Sequence, residues 1–247
     1  MASLTAEELA ARVVDHAGGT DRWDGLGELR LRLRCTGLAF RLMGKMSEVA
    51  EMEQVIRVHE PRIELTSVSV PGWRGRFDAG TATMLDADGA PGETRDGAVA
   101  YRRAPWPASH WDDLAALTFC SYASWNYATF PVLLRRPDLG VEAIGEHRVD
   151  GQRLHGLRLT FPPAIPTHSP TQTFWVTEEG VLRRHDYVAR MVSPLAKAAN
   201  RCVHEATAFG VTLPDHRVVT PALPLRRAAP RPVLVDVTIE VLSATER

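Results

Sequence analysis

The stretch ELRLRLRC, residues 28–35, decides the fold class of this chain. Its apolar side chains occupy every second position, and arginines fill the positions between them: Leu29, Leu31, Leu33 and Cys35 against Arg30, Arg32 and Arg34. Successive side chains of a β-strand point to opposite faces of a sheet, so a period of two predicts a strand with one buried face and one solvated face. The stretch therefore predicts a sheet that covers a core on one side only.

Five further short segments with strand character follow it. Turn residues separate them, including Pro61 and an Asp-Gly pair at 88–89. The segments are GLAFRLMG (37–44), QVIRVHE (54–60), RIELTSVSV (62–70), GWRGRFDAG (72–80) and TATMLDADG (81–89). In the first of them, Leu38, Phe40 and Leu42 would share one face. Strands in series without intervening helices predict an antiparallel meander.

The clearest hairpin joins GVEAIGEHRV (140–149) to QRLHGLRLTF (152–161) through an Asp-Gly pair. A two-residue turn there pairs Ile144 with Leu157, and Glu146 with His155. The last strands are expected in NRCVHEATAF (200–209), HRVVTPALPLR (216–226) and VLVDVTIEVL (233–242). The last of these alternates throughout, which again indicates one buried face.

A second hairpin spans residues 172–190 and turns at a Glu-Gly pair, residues 179–180. Its register depends on the length of its loop. A two-residue turn places Gln172 opposite Tyr187, whereas a three-residue loop places Gln172 opposite Asp186. Both alternatives give Gln172 a polar neighbour.

Two segments have helical periodicity instead. Near the N-terminus, Thr5 and Glu8 form a capping-box pattern before an amphipathic helix that ends at Gly-Gly, residues 18–19. Residues 109–131 predict a second helix, with Ser109 or Asp112 at its start and Pro131 at its end. This helix is apolar nearly all round, which predicts that it is buried against the concave face of the sheet.

Together these elements predict a mainly β (α+β) fold. We expect a curved antiparallel sheet, or unclosed β-barrel, of about ten or eleven strands around the buried helix. Residues 1–247 are interpreted as a single domain, because the sequence contains no repeat, no low-complexity run and no clear linker.

The bulk composition excludes several classes of protein. The chain has 247 residues, is 45% hydrophobic and 24% charged, and carries a net charge of −1, so no global field favours nucleic acid. Its three cysteines form no CxxC pair, which is typical of a reducing compartment. The N-terminus lacks a signal-peptide pattern, and no apolar run reaches roughly 18 residues. We therefore expect a cytoplasmic monomer or homodimer without integral membrane association.

The order of elements resembles a known fold. A short N-terminal helix, then AGGTDRWDGLGELRLRLR (17–34), then a meander interrupted by a helix is similar to the lipoprotein carriers LolA, LolB and LppX. The segments WNYATFP (125–131), THSPTQTFWV (167–176) and GVLRRHDY (180–187) resemble uncharacterised soluble bacterial members of that fold. The resemblance implies an unclosed barrel with a cavity for acyl chains, and it carries no known activity for those members.

The sequence contains no motif that is typical of a metal site or a cofactor site. No HExxH, HxH or CxxC pattern occurs, so we expect no metal site. Neither a GxGxxG fingerprint nor a P-loop is present, and we expect no cofactor. Ser169 lies in HSP rather than in a GxSxG elbow, so it is interpreted as a loop hydroxyl and not as a nucleophile.

Acid–base catalysis by histidine is the remaining chemical hypothesis, because histidine titrates near neutral pH and needs no cofactor. The candidate catalytic residues are His168, His155, Asp186, Tyr187 and His204. The candidate ligand-binding residues are Gln172, Trp125, Asn126, Tyr127, Tyr122, Phe174, His185 and Glu146. The alternative for each is structural: a rim ion pair for Glu146 and His155, a loop-bracing network around Gln172, and ordinary core for the aromatics.

Two functions remain open from the sequence. The first is a cofactor-free enzyme that binds a polyketide- or terpenoid-like molecule in the barrel and performs a cyclisation, isomerisation or dehydration. The alternative is a non-catalytic carrier or sequestering protein for a lipid or hydrophobic metabolite. Both predict a hydrophobic small molecule as the partner.

Overall fold

The computed structural model of the protein describes residues 4–97, 111–190 and 192–247. Its helices within these ranges are α1 (Ala6–His16), α2 (Thr20–Gly25), α3 (Leu38–Leu42), α4 (Met46–Val49) and α5 (Asp113–Leu133). Its strands are β1 (Leu26–Thr36), β2 (Glu51–Arg57), β3 (Arg62–Ser67), β4 (Arg74–Asp78), β5 (Thr81–Leu85), β6 (Pro91–Asp96), β7 (Gly140–Val149), β8 (Gln152–Thr160), β9 (Thr171–Val176), β10 (Leu182–Val188), β11 (Lys197–Ala208), β12 (Val211–Leu223), β13 (Arg227–Ala228) and β14 (Val235–Glu246).

The strands form one antiparallel sheet in the order β6-β5-β4-β3-β2-β1-β14-β12-β11-β10-β9-β8-β7, with β13 paired to β12. The edge strands β6 and β7 are not hydrogen-bonded to each other, so the sheet is unclosed, as predicted. Fourteen strands in the described residues exceed the ten or eleven expected, partly because the exposed β6 and the two-residue β13 carry no alternating apolar pattern. The C-terminal strand β14 lies between β1 and β12.

Strand β1 has the two faces that its sequence predicts. Leu29, Leu31 and Leu33 are buried in the core. On the other face, Arg32 Nη2 donates to Glu53 Oε1 of β2 at 2.7 Å, so the charged face is lined with ion pairs in solvent. The alternation therefore sets which side of the sheet faces the core.

Helix α1 begins at the predicted capping box. The Thr5 hydroxyl accepts from the Glu8 backbone N–H at 3.2 Å, and a Glu8 carboxylate oxygen accepts from the Thr5 backbone N–H at 2.8 Å. Leu9, Val13 and Val14 form its buried face. The helix ends at His16, just before the Gly-Gly pair.

Helix α5 covers the concave face of the sheet and contacts β3, β4, β5 and β6. All of its residues except Asp113 and Ala123 are buried, which confirms the prediction of a buried helix. Asp112 caps its N-terminus, because its carboxylate accepts from the Ala115 backbone N–H at 2.8 Å. Ser109, the other proposed start, lies outside the described residues. The expected end was wrong: the helix continues through Pro131 to Leu133.

Residues 37–44 were predicted as a strand and form helix α3 instead. Phe40 and Met43 are the buried residues here, three positions apart, whereas Leu38 and Leu42 are exposed. A spacing of three is helical, and the apparent period of two came from leucines that face solvent. Backbone bonds from Leu38 N to Val233 O and from Ala39 N to Leu234 O, both 3.0 Å, fix the segment beside β14.

The first hairpin confirms one predicted pair and contradicts another. Glu146 lies opposite His155 as expected, but Leu157 lies opposite Ala143 rather than Ile144. A β-bulge between the two pairs shifts the register by one residue. It contains Gly145, whose φ of +81° suits glycine.

The tip of the second hairpin touches the backbone of α1. A Cβ at Gly180 would lie 2.3 Å from the Arg12 carbonyl oxygen, and Gly180 has φ +90°. Gly151 has nearly the same φ, +87°, but a Cβ there would meet no atom within 4 Å. We expect Gly151→Ala to cost about 1 kcal/mol from backbone strain alone, and Gly180→Ala about 3 kcal/mol or more because it also displaces α1.

Urea denaturation of both variants measures this difference in the free energy of unfolding. Hydrogen exchange should show faster exchange of α1 amides in Gly180→Ala only. Equal losses of stability in the two variants would contradict the close contact between the hairpin tip and α1.

Candidate functional site

The candidate site lies on the concave face of β9, β10, β11 and β12, beneath α5 and the 161–170 loop. We call it the inner cluster and define it by six buried residues that these elements bring together: Tyr127, His168, Gln172, His185, Tyr187 and Arg217. Five of the six were predicted as site residues from the sequence, whereas Arg217 was not.

The register of the second hairpin follows from two features. Thr177 N donates to Val181 O at 2.9 Å around a three-residue loop, and Val176 pairs with Leu182. A bulge before Arg184 then shifts the register by one residue, so that Asp186 pairs with Thr173. Gln172 consequently lies in line with Tyr187, the alternative that a two-residue turn predicted.

Gln172 and His185 are joined by a buried hydrogen bond of 2.5 Å between Gln172 Oε1 and His185 Nε2. The Gln172 amide nitrogen donates to the Ser169 carbonyl oxygen at 3.0 Å and to the Thr167 hydroxyl. Since the amide oxygen can only accept, Nε2 of His185 carries the hydrogen. The pair fixes one tautomer of the imidazole and ties the loop to the sheet.

Aromatic rings surround His185. Its imidazole stacks on Phe174 with centroids 4.1 Å apart and lies 4.7 Å from the Tyr187 ring. Burial lowers the pKa of His185 well below its ordinary value, and the nearby Arg217 guanidinium and His168 lower it further. The imidazole is therefore neutral at physiological pH.

His168 reaches the same site from the loop. Its ring stacks on Tyr187 at 5.8 Å and lies 4.6 Å from Phe119 and 5.7 Å from Tyr122, measured between centroids. Burial lowers the pKa of His168 to about 3. Burial also raises the pKa of Tyr122 to about 12, so both side chains are neutral.

Helix α5 contributes polar side chains that contact the 161–170 loop and the inner cluster. Asn126 Nδ2 donates to the Tyr122 carbonyl oxygen at 2.8 Å and to the Thr167 hydroxyl at 3.2 Å. The hydroxyls of Tyr127 and Tyr187 are 3.4 Å apart. Trp125 is core instead, with its indole N–H donating to the Arg57 carbonyl oxygen at 3.1 Å.

Asp186 is not part of the inner cluster, in contrast to the expected grouping with His168 and Gln172. It alternates with His185 and Tyr187 along β10, so it points to the other face of the sheet. There it accepts from the Trp175 indole at 2.9 Å and from Arg184 Nε at 2.6 Å. Burial raises the pKa of Asp186, and the contact with Arg184 opposes this shift.

Glu146 and His155 are cross-strand neighbours without a shared hydrogen bond. Both carboxylate oxygens of Glu146 accept from Arg153, at 2.9 and 3.0 Å. Glu146 therefore does not hold a tautomer of His155 among the described contacts. His155 is half-buried and faces Val176 of β9.

His204 points outward, although it lies two residues from the buried Cys202 on the same strand. A bulge between Cys202 and His204 reverses the alternation, so Cys202 is buried while 69% of the His204 side chain is exposed. His204 Nδ1 lies 2.7 Å from Asp215 Oδ1 at the surface.

Arg217 is the residue that sequence reasoning missed. Its side chain is 1% exposed, and its guanidinium lies 4.3 Å from the centroid of the Tyr127 ring. The only signal in the sequence is alternation: in HRVV, residues 216–219, a charged residue occupies an inward position beside outward His216.

The described residues contain no group of three metal-ligating side chains. Cys35, Cys120 and Cys202 are free and buried, and burial raises the pKa of each thiol. Among the described residues, the slot bounded by α1, α5 and β12 has about 20 Å³ of free space, room for one water. Among the described helices, none combines the length and apolarity required to span a membrane.

Comparison with known proteins identifies the fold. No protein-family model matches the sequence, and no curated protein matches it. A LolA superfamily protein from Nitrosomonas europaea matches over 99% of this chain and 94% of its own, with TM-score 0.53 and 11% identity. A DUF1329 family protein from Desulfovibrio piger matches over 95% and 89%, with TM-score 0.48 and 12% identity. A domain named for outer-membrane lipoprotein sorting, from Vibrio parahaemolyticus, matches over 98% and 92%, with TM-score 0.48 and 8% identity.

These comparisons correct the expected location. The prediction of a cytoplasmic protein is contradicted by the likeness to the LolA superfamily protein from Nitrosomonas europaea. That prediction rested on the cysteine pattern and the first residues of the chain. At these identities the likeness establishes architecture: the chain has a LolA-like fold.

Proposed function

We propose that this protein is a non-catalytic carrier or sequestering protein for a lipid or hydrophobic metabolite. The observation that carries the proposal is the relation between α5 and the sheet. Helix α5 is apolar nearly all round and covers the concave face of the unclosed sheet. In chain order it lies between the two edge strands, β6 and β7. An apolar ligand would replace the contacts between this helix and the sheet with similar apolar contacts, so little hydrophobic free energy would be lost.

Two small slots among the described residues are what a ligand-free carrier would show. The slot beside Tyr127 and Pro131 holds only one water, and a neighbouring slot between Ala128, Leu31 and Leu33 holds none. At these two slots a lipid would enter when α5 or the adjacent loops move outward, so that the bound form is a minor state before the ligand arrives.

The enzymatic hypothesis has weaker support. His155 lies outside the inner cluster and His204 is at the surface. His168 and His185 lie in apolar surroundings that lower their pKa, and a base with so low a pKa removes protons poorly near neutral pH. A cyclisation or isomerisation would require a ligand-bound form in which these histidines meet a carboxylate.

A blocking variant tests whether ligand binds beneath α5. Ala128 is buried on the sheet side of the helix, and Ala123 is half-exposed on the same helix. We expect wild type to bind the neutral fluorescent probe N-phenyl-1-naphthylamine, and Ala128→Leu to weaken this binding about tenfold or more because its extra methyl groups fill the ligand space. Ala123→Leu should bind the probe as wild type does.

Fluorescence titration gives the three affinities, and thermal melting confirms that each variant is folded. Probe binding that survives unchanged in Ala128→Leu would place the ligand elsewhere. A wild-type protein that binds no neutral probe at all would contradict the carrier function.

A further inference from the structure

Arg217 is a buried cation without a buried anion. It is 1% exposed, and no described carboxylate lies within 4 Å of its guanidinium. Among the described residues, its one hydrogen bond runs from Nη1 to the Cys202 sulfur at 3.3 Å, and its Nε has no partner. By comparison, the equally buried Arg184 binds the carboxylates of Asp150 and Asp186.

Such an arrangement is costly to the folded protein. A guanidinium keeps its charge at every physiological pH, and a buried charge is normally compensated by an opposite charge and several hydrogen bonds. The Tyr127 ring compensates Arg217 only in part, because a ring face attracts a cation more weakly than a carboxylate does. The described part of the protein therefore contains a buried cation whose charge no anion balances.

A second buried polar side chain without a partner lies near Arg217. Asn200 lies opposite His185 on β11, two residues from Cys202, which itself lies opposite Arg217. The Asn200 side chain is fully buried, and neither its Nδ2 nor its Oδ1 has a hydrogen-bond partner among the described residues. Arg217 Nε and Asn200 Nδ2 are thus two donors on adjacent strands without acceptors in the described part of the chain.

Arg217 also borders the slot enclosed by α1, α5 and β12. The other walls of the slot are mostly apolar, with Val13, Phe130, Pro131 and Leu213 among them. His16 and Glu205 line it nearer to solvent, with 29% and 32% of their side chains exposed, and His16 Nε2 contacts both carboxylate oxygens of Glu205 at 3.0 and 3.1 Å. The slot therefore combines apolar walls with one buried positive end.

We infer that the ligand of this protein is a long-chain carboxylic acid whose carboxylate is bound by Arg217 and Asn200 while its chain lies beneath α5. This inference rests on the proposed carrier function. One planar guanidinium beside one amide matches a monoanionic carboxylate, which accepts two parallel hydrogen bonds. A phosphate, with more charge and more oxygens, would require further cations, and the inner cluster contains Arg217 as its only charged side chain among the described residues.

The test compares hexadecanoic acid with hexadecanol, which differ in charge but hardly in chain. Both are titrated at pH 7.5 against wild type, Arg217→Met and a control, Arg183→Met, which alters an exposed arginine next to Arg184. We expect wild type and Arg183→Met to bind the acid at least tenfold more tightly than the alcohol. Arg217→Met should lose this preference and bind the alcohol within about twofold of wild type.

The thermal stability of Arg217→Met tests whether Arg217 is an uncompensated buried charge. Because methionine removes an uncompensated buried charge and keeps the volume, the ligand-free Arg217→Met protein should melt at or above the wild-type temperature. Arg217→Lys, which keeps the charge without the planar fork, should retain a smaller preference for the acid.

The outcomes separate the inference from the carrier function. Equal wild-type affinity for acid and alcohol, or a preference that persists in Arg217→Met, overturns the inference and leaves the carrier function standing. Failure of wild type to bind the acid, the alcohol and the neutral probe overturns both.

Discussion

Lowering the pH from about 7 to about 5 should reduce the free energy of unfolding by about 4 kcal/mol. His168 and His185 are neutral in the folded protein, since burial lowers the pKa of His168 to about 3 and that of His185 well below its ordinary value. In the unfolded chain both titrate near 6.5. The unfolded state therefore binds more protons as the pH falls through about 6.5, and the folded state is progressively destabilised.

Chemical denaturation at a series of pH values measures this slope. Between about pH 5 and 6.5 the carboxylates with ordinary pKa values stay ionised in both states, so the histidines dominate. His168→Phe should remove about half of the slope, whereas His204→Gln, at the exposed surface, should leave it unchanged. A stability that is flat across this range would mean that the two imidazoles are accessible to solvent protons.

Arg184→Met should lower the free energy of unfolding by about 2–3 kcal/mol, since it removes charge-assisted hydrogen bonds to the carboxylates of Asp150 and Asp186, whose side chains are 32% and 23% exposed. Arg184 Nε binds Asp186 at 2.6 Å, and its Nη1 binds Asp150 at 2.9 Å and the Arg226 carbonyl oxygen at 2.8 Å. These contacts join the turn of the first hairpin, strand β10 and the segment after β12. The Arg184 side chain thus holds these three segments together.

Urea denaturation with an unchanged m-value is the measurement for this variant. Arg183→Met, on the neighbouring exposed residue, should change stability by less than about 0.5 kcal/mol. Adding Asp186→Asn to Arg184→Met should recover part of the loss, because it removes one uncompensated charge. No recovery would show that the loss came from packing rather than from the unpaired carboxylate.

Much of the architecture is readable from local patterns. The capping box at Thr5, the alternation in β1 and the apolar surface of α5 each act over a few residues, and the structure confirms them. The predicted strand pairings were wrong where a one-residue bulge shifts the register between neighbouring strands. The first bulge has a signal, the isolated Gly145 inside a strand pattern. The bulge before Arg184 and the bulge beside His204 leave no composition signal that distinguishes them from regular strand.

The site was less predictable because it depends on which face each residue occupies. His168, Gln172, His185 and Tyr187 come together as their loop and strands suggested, but Asp186 follows the alternation of β10 to the opposite face. Arg217 could not be selected from the sequence, since its burial depends on the Tyr127 ring of a helix some ninety positions earlier. Sequence spacing does not encode such contacts.

The position of β14 has a consequence for how the chain reaches this structure. The strands before it form two groups in the sheet, β6 to β1 and β12 to β7, and β14 is the strand that hydrogen-bonds both. During synthesis the two groups therefore emerge and pair internally while their facing edges, on β1 and β12, stay open. Only β14 seals them, so correct assembly depends on keeping both edges unpaired with other chains until this strand has been synthesised.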